Sequence, residues 1–182
     1  QVCDAVKGAV SSSGICIEDI RSLGFDATCS LVVLDEQGQG LAVSPGEPSD
    51  HNIIMWMDHR ASQETQRINA TQDPSLRYVG GEVSVEMELP KVLWLKKHFP
   101  ATWHSAHRFY DLADYLVCKA TGSDVAGLCT LTCKWNYLAH EQRFSHSLLD
   151  AVELTDLTGK IPSHILPPGA AVGTLSADAA QA

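Results

Sequence analysis

The stretch IIMWMDHR at 53–60 sets five apolar residues, Ile53 to Met57, directly before Asp58, His59 and Arg60. An apolar run of this length suits a buried strand, and in open α/β sheets ligands bind beyond the carboxyl ends of the strands. A strand that stops in Asp-His-Arg is one way to deliver polar groups, an acceptor, an imidazole and a planar cation, to a cleft. The same octet also reads as a solvated strand end running into a helix cap. Lys134 poses a similar choice, standing between Cys133 and Trp135 in an otherwise apolar neighbourhood. Its ammonium either snorkels to water or is held in a cleft, donating to hydroxyl or carbonyl oxygens. Trp56 either packs on a ligand face or fills the core.

Other candidates are less complete. Cys29 and Cys133 could each act as a nucleophile, but the sequence places no His and carboxylate beside either, so packed thiols are expected. His104 with His107, or Cys129 with Cys133, would supply half of a metal site without a second half at ligand spacing, and no metal is expected. Neither GxGxxG nor GxxxxGK[ST] occurs, which excludes the Rossmann fingerprint and the P-loop.

Bulk properties bound the rest. At 182 residues, with 45% hydrophobic and 19% charged residues, the chain suits one compact domain. No apolar run approaches the ~18 residues of a membrane span. The net charge of −9, with dispersed basic residues, would repel a phosphate backbone and excludes nucleic acid as an expected partner. The six cysteines, at 3, 16, 29, 118, 129 and 133, lack the spacing of a disulfide framework and read as reduced thiols of a cytoplasmic protein without a secretory signal. The sequence begins at Gln1, and QVCDAVKGAV already shows the stripe of an amphipathic helix in mid-course, so further sequence is expected upstream.

Periodicity and turn residues then predict the elements that position the candidates. The opening helix stops at Ser11-Ser12-Ser13-Gly14, and strand-like runs follow at Ile15 to Phe25 and at Ser30 to Leu34. The second run continues through DEQGQG into LAVS as a hairpin, and SPGEPSDHN is a surface loop. Beyond the Ile53–Met57 strand, HRASQETQRINA predicts a largely exposed helix. ELPKVLWLKKHF predicts another, with Leu89, Val92, Leu93 and Leu95 inward and Pro100 closing it. DLADYLVCKATG predicts a third, with Gly122 as its C-cap. DVAGLCTLTCKWNYL reads as strand or loop, SHSLLDAVELTDL as one helix, and IPSHILPPGAAVGTLS as a loop and strand-like tail. Alternating helices and strands indicate an α/β or α+β class with a mixed sheet.

Three stretches in one order sharpen this. GFDATCSLVVLD from Gly24, WMDHRA from Trp56 and CKWNYL from Cys133, with VGGE at Val79 and the ELPKVLWLKK helix, make nearly the whole chain resemble the N-terminal domain of an FGGY-family carbohydrate kinase of the ribulokinase-like pentulose group. The resemblance implies a ribonuclease-H-like α/β fold of the actin and sugar-kinase superfamily, a mixed sheet with flanking helices, here incomplete. Residues 1–182 would be a partial N-terminal, sugar-binding domain. The Asp-x-Gly-Thr phosphate-loop hairpin would lie upstream, and the ATP-binding domain with the general-base aspartate downstream of Ala182.

Carried over by position, the resemblance places Asp26, Thr28, Cys29, Ser30, Trp56, Asp58, His59, Arg60 and Lys134 at the sugar site, with Asp58, His59 and Arg60 at its mouth. The stretch matching Thr28 and Cys29 carries Arg-Glu in glycerol kinases and Gln-Met-His in xylulokinases. This chain has neither, and its small side chains are similar to the ribulokinase versions. Lys134 matches the lysine that contacts the sugar oxygens. The implied parent uses ATP and Mg²⁺ to phosphorylate a ketopentose such as D-ribulose, and this segment alone is expected to be inactive and to bind neither cofactor. Its expected partners are the sugar, the remainder of the kinase chain and a second copy in a homo-oligomer. The alternative is a non-catalytic sugar-binding or assembly module.

Overall fold

The computed structural model describes residues 1–182. Helix α1 (Val2–Ser13) ends at Gly14, whose φ of 70° is the left-handed cap that glycine adopts without cost. None of its residues is buried, so its apolar stripe has no packing partner within these residues. No strand forms between Ile15 and Phe25; the chain makes a single 3₁₀ turn, Ile17–Asp19, and then runs extended and largely exposed. Apolar alternation there was a sound strand signal, but a strand needs a paired edge, and these residues supply none.

Strand β1 (Leu31–Leu34) is the middle of a three-stranded antiparallel sheet, between β2 (Ile53–Ile54) and β3 (Arg108–Asp111). All four of its residues are buried. Leu31 and Val33 enter the main core, while Val32 and Leu34 face Tyr110, Leu112 and Tyr115 on the other side. Burial on both faces explains why LVVL is continuously apolar instead of alternating. The expected hairpin after β1 survives as a turn: Asp35 N–H donates to Gln39, Leu41 N–H donates to Val33, and Leu34 bridges Gly40. β2 is shorter than the apolar pentad suggested, because the chain turns at Met55.

Helix α2 (Ser62–Ala70) buries only Glu64 and Ile68. Helix α3 (Glu88–His98) points Leu89, Val92, Leu93 and Leu95 inward as its period requires, and Lys96, Lys97 and His98 in its last turn complement the helix dipole. Pro100 does not merely close α3; it occupies the first turn of a further helix, α4 (Pro100–Ser105). Helix α5 (Leu112–Thr121) is capped by Asp111, whose carboxylate accepts from Ala113 N–H, and by Gly122 at φ 75°. The ambiguous run that follows is both strand and helix: β4 (Val125–Gly127), then α6 (Leu128–Lys134). β5 (Tyr137–Leu138) and β6 (Arg143–Phe144) form a small hairpin.

The expected single helix from Ser145 is broken. Helix α7 (His146–Ala151) stops before Glu153, whose φ of 61° no α-helix accommodates, and a 3₁₀ segment covers Thr155–Lys160. Strand β7 (His164–Leu166) pairs in parallel with β4, and α8 (Ala177–Gln181) ends the chain. Parallel and antiparallel pairing are thus both present, divided among separate small sheets.

One polar knot ties the α7 region to the middle of the chain. Asp73 caps the 3₁₀ segment Pro74–Val79 and accepts hydrogen bonds from Ser75 N–H, from the Ser75 hydroxyl and from the hydroxyls of Ser145 and Ser147. Burial acts to raise its pKa, but these hydrogen bonds outweigh it and hold the carboxyl below its usual range. Asp73→Ala leaves buried hydroxyls without an acceptor, a loss of about 1–3 kcal/mol, and should lower the melting temperature by several degrees at pH 7. Because the folded pKa is depressed, this contribution is present above the ordinary carboxylate pKa and fades as pH falls through the folded one. Melts of wild type and variant should therefore converge in acid.

Candidate functional site: a polar edge on a buried sheet

Register brings the ends of three strands together. Leu31, the first residue of β1, pairs with Ile54 at the end of β2 on one side and with Asp111 at the end of β3 on the other. The loop before β1, the turn after β2 and the cap of α5 therefore share one edge of the sheet. Ser30 is buried there, and its hydroxyl accepts the Trp56 backbone N–H at 3.1 Å, which holds the turn after β2 against the loop before β1.

Asp58 N–H returns to the Met55 carbonyl, and the Asp58 carboxylate accepts Arg60 N–H at 3.0 Å and Arg60 Nε at 3.0 and 2.8 Å. The guanidinium also donates to Ser44 Oγ at 3.0 Å and lies 4.6 Å above the Trp94 ring. Carboxylate, hydroxyl and aromatic face fix this cation as a forked, stacked Arg rather than a mobile one. Burial acts to raise the Asp58 carboxyl, yet the Arg60 contacts hold it below its ordinary range. Lys91 lines the same small hollow as Asp58, Arg60 and Trp94.

Behind that hollow lies a buried ionisable group. Glu88 and Lys91 of α3 are 0% and 1% exposed, with Nζ and Oε1 3.4 Å apart, and Asp111 is 1% exposed. Glu88 Oε2 and Asp111 Oδ2 have no hydrogen-bond partner. Burial pushes Glu88 up to about 8 and Asp111 up to about 6. The Cys29 thiol is raised to about 11, first by burial and then by the negative charge of Asp111. A thiol held so firmly protonated is a small neutral wall group, not a nucleophile.

Lys134, half-buried in the last turn of α6, places its charge within reach of Cys29 and Glu88. The position of α6 is set by Asp114, whose carboxylate accepts Gly127 N–H at 3.0 Å and the Thr130 hydroxyl at 3.1 Å. A Cβ at Gly127 would sit 3.0 Å from Asp114 Oδ1 and 3.1 Å from Thr130 Oγ1, so a larger residue there would have to displace the two side chains that make this joint.

Of the residues singled out from sequence, Ser30 holds Trp56 and Asp58 pairs with Arg60, while the charge of Lys134 acts on Cys29 without a hydrogen bond between them. Trp56 is half-buried, and Asp26 and Thr28 are exposed on the loop before β1. His59 turns away to Glu86 at 3.1 Å. The expectation of packed thiols at Cys29 and Cys133 fails for Cys133, which is exposed, and holds only in part for Cys29, which is partly covered. His104 bonds the Pro100 carbonyl of its own helix, and no three His, Cys, Asp or Glu side chains converge as a metal cage.

Sequence reading missed Glu88, Lys91 and Asp111. The signal for the first two was available, because 88, 91, 92 and 95 fall on one helical face and Val92 and Leu95 were already read as inward.

Three small sheets with helices packed around a doubly covered central strand define a domain of the sugar-kinase and actin type. It superposes on a gluconate kinase from Lactobacillus acidophilus with a TM-score of 0.76 at 17% identity, covering 99% of this chain and 35% of that one. A ligand-bound xylulose kinase from the same organism gives 0.72 at 16% identity, covering 99% of this chain and 35% of that one. The sequence matches the N-terminal domain of the FGGY family of carbohydrate kinases over residues 1–182, and the chain belongs to that family.

Among its relatives, an FGGY carbohydrate kinase domain-containing protein of Homo sapiens is 47% identical over 176 residues, 94% of this chain and 31% of the relative. A D-ribulokinase of Saccharomyces cerevisiae is 43% identical over 164 residues, 86% of this chain and 23% of the relative. The chain thus spans a third or less of the length of these proteins.

The coupling of Cys29 to Asp111 is directly measurable. Alkylation at pH 8 followed by mass mapping should modify Cys29 last among the six cysteines, since thiolate is the reacting species. Asp111→Asn removes the opposing charge and should speed modification at Cys29 selectively.

Proposed function

We propose that this segment forms the sugar-binding wall of an ATP-dependent kinase that phosphorylates the terminal hydroxyl of a ketopentose, with D-ribulose the first candidate. The observation that supports this most is the shared edge where the loop before β1 meets the turn carrying the Asp58–Arg60 pair, with the Lys134 charge acting on Cys29, in a chain 43% identical to a D-ribulokinase.

In this reading Lys134 donates to sugar oxygens, Asp58 accepts a hydroxyl with the lone pairs that Arg60 leaves open, and the Thr28 hydroxyl and Asp26 carboxylate complete the wall from the loop. Matched donors and acceptors of this kind discriminate polyols better than apolar contacts do. Arg60 acts by fixing Asp58, and the neutral Cys29 thiol keeps the floor of the cleft narrow. His59, engaged with Glu86, stands at the rim.

The side chains present do not fit a nucleotide and its metal. No acidic cage converges, Arg60 is engaged by Asp58, and Lys91 is buried against Glu88. ATP and Mg²⁺ are therefore assigned to other parts of the kinase chain. The exposed apolar side chains Ile15, Ile17, Ile20 and Leu23 offer that remainder a surface to cover.

In the full-length kinase, Lys134→Ala should reduce kcat/KM for D-ribulose by about one to two decades, the worth of a charge-assisted hydrogen bond of roughly 1.5–3 kcal/mol. Unchanged kinetics in a coupled ADP-release assay would return Lys134 to the snorkelling class. The 182-residue segment alone should show no ATP-dependent phosphorylation of any pentulose. Turnover above background would place a phosphate site and a base within these residues and overturn the assignment.

A further inference from the structure

Glu88, Lys91 and Asp111 are two acids and one base, each at least 99% buried by their exposures of 0%, 1% and 1%. If both acids were ionised, the interior would hold one uncompensated negative charge, at a cost of several kcal/mol. The unpaired oxygens mark where the deficit lies: Glu88 Oε2 and Asp111 Oδ2 have no donor. The single ammonium cannot satisfy both acids: its one hydrogen bond is a long one, 3.4 Å to Glu88 Oε1, and it also lines the hollow with Asp58. Its charge also reaches Asp111 and Asp58.

Asp111 is the better placed of the two acids to stay ionised. Its carboxylate accepts the Ala113 backbone N–H, whereas Glu88 has Lys91 alone. The charged groups facing Glu88 from the other packed elements are Asp111 on β3, which opposes its ionisation, and Lys134 on α6, which favours it.

We propose, on the reading that this edge binds a sugar, that Glu88 is a positioning residue. It is a neutral buried acid that leaves the Lys91 ammonium to hold Asp111 and Asp58, and so fixes the Cys29 loop and the Asp58–Arg60 pair at the cleft. When Glu88 loses its proton it draws Lys91 toward itself. Asp111 and Asp58 then lose part of their stabilising charge, and both walls of the site loosen together. Glu88 touches neither sugar nor nucleotide; it acts through Lys91.

The sign of the effect follows from burial. The folded-state pKa of Glu88, raised to about 8, lies above the unfolded value, so its contribution to stability is present below the unfolded pKa and is lost as pH rises through the folded one. Asp111 adds a loss of the same sign at lower pH, ending near its raised value of about 6.

The test uses the full-length kinase as wild type and Glu88→Gln, which keeps the shape and cannot ionise. The KM for D-ribulose is measured from pH 6 to 9.5 with the KM for ATP as an internal control, and melting temperatures are taken over the same range. For wild type, the sugar KM should rise by about tenfold above pH 8 while the ATP KM does not follow. In Glu88→Gln that rise should vanish, and the variant should lose less melting temperature than wild type between pH 6 and 8.5. Lys91→Met should raise the sugar KM at every pH.

An equal alkaline rise of sugar KM in wild type and Glu88→Gln overturns the proposal, as does equal pH dependence of melting. A melting difference without a KM difference assigns Glu88 a structural role only and also overturns it. Wild type that neither phosphorylates nor binds any pentulose overturns the sugar reading itself, an outcome separable from the others because the melting comparison still reports the ionisation of Glu88.

Discussion

The packing of β1 on both faces constrains everything else in this molecule. With Leu31 and Val33 in the main core and Val32 and Leu34 against the α5 side, no polar side chain has room along the strand. Polar chemistry is confined to where strands stop. Antiparallel pairing then places the beginning of β1 beside the ends of β2 and β3, so three backbone segments far apart in sequence reach one edge. The hydrogen bond from Trp56 N–H to Ser30 joins two of them, and the capping of α5 by Asp111 anchors the third.

The energetic consequence is a graded site. At its mouth, charges are neutralised in water's reach: Asp58 has a forked guanidinium, and that guanidinium has an aromatic face behind it. One layer deeper the same chemistry costs far more, because Glu88, Lys91 and Asp111 have no solvent to share their charge. Burial in the deeper layer favours the neutral forms, raising Glu88 most in consequence, to about 8, and Asp111 to about 6. Lys91 belongs to both layers, lining the hollow with Asp58 while paired with Glu88.

How far the sequence foretold this depends on the element. α3 and α5 were legible because helical period and caps act over a few residues: Leu89, Val92, Leu93 and Leu95 do face inward, and Gly122 does end α5. β3 was not, because RFYD is only four residues between two helices and its last residue doubles as the cap of α5. The run from Ile15 to Phe25 misled for the opposite reason, since its pattern was that of a strand and no partner strand lies among these residues. Of the motif residues, Ser30 and the Asp58–Arg60 pair come to one edge of the sheet, as their spacing in the sequence could not show. Glu88 and Lys91 were hidden by their residue type, as charge on an inward helical face reads as noise until its partners are seen.

The contact of Asp114 with Gly127 and Thr130 bears on how this corner can vary through descent. It is a three-point joint between α5 and α6 in which one carboxylate serves a backbone amide and a hydroxyl while a missing side chain leaves room for both. A longer side chain at 127, or a loss of the acid at 114, would re-aim α6 and thereby the lysine seven residues beyond the glycine. Single exchanges at these positions carry a penalty at a distance, whereas paired exchanges that restore the joint do not. Positions 114, 127 and 130 should therefore drift as a set, and a lineage in which all three have changed together is one in which the reach of Lys134 has been reset.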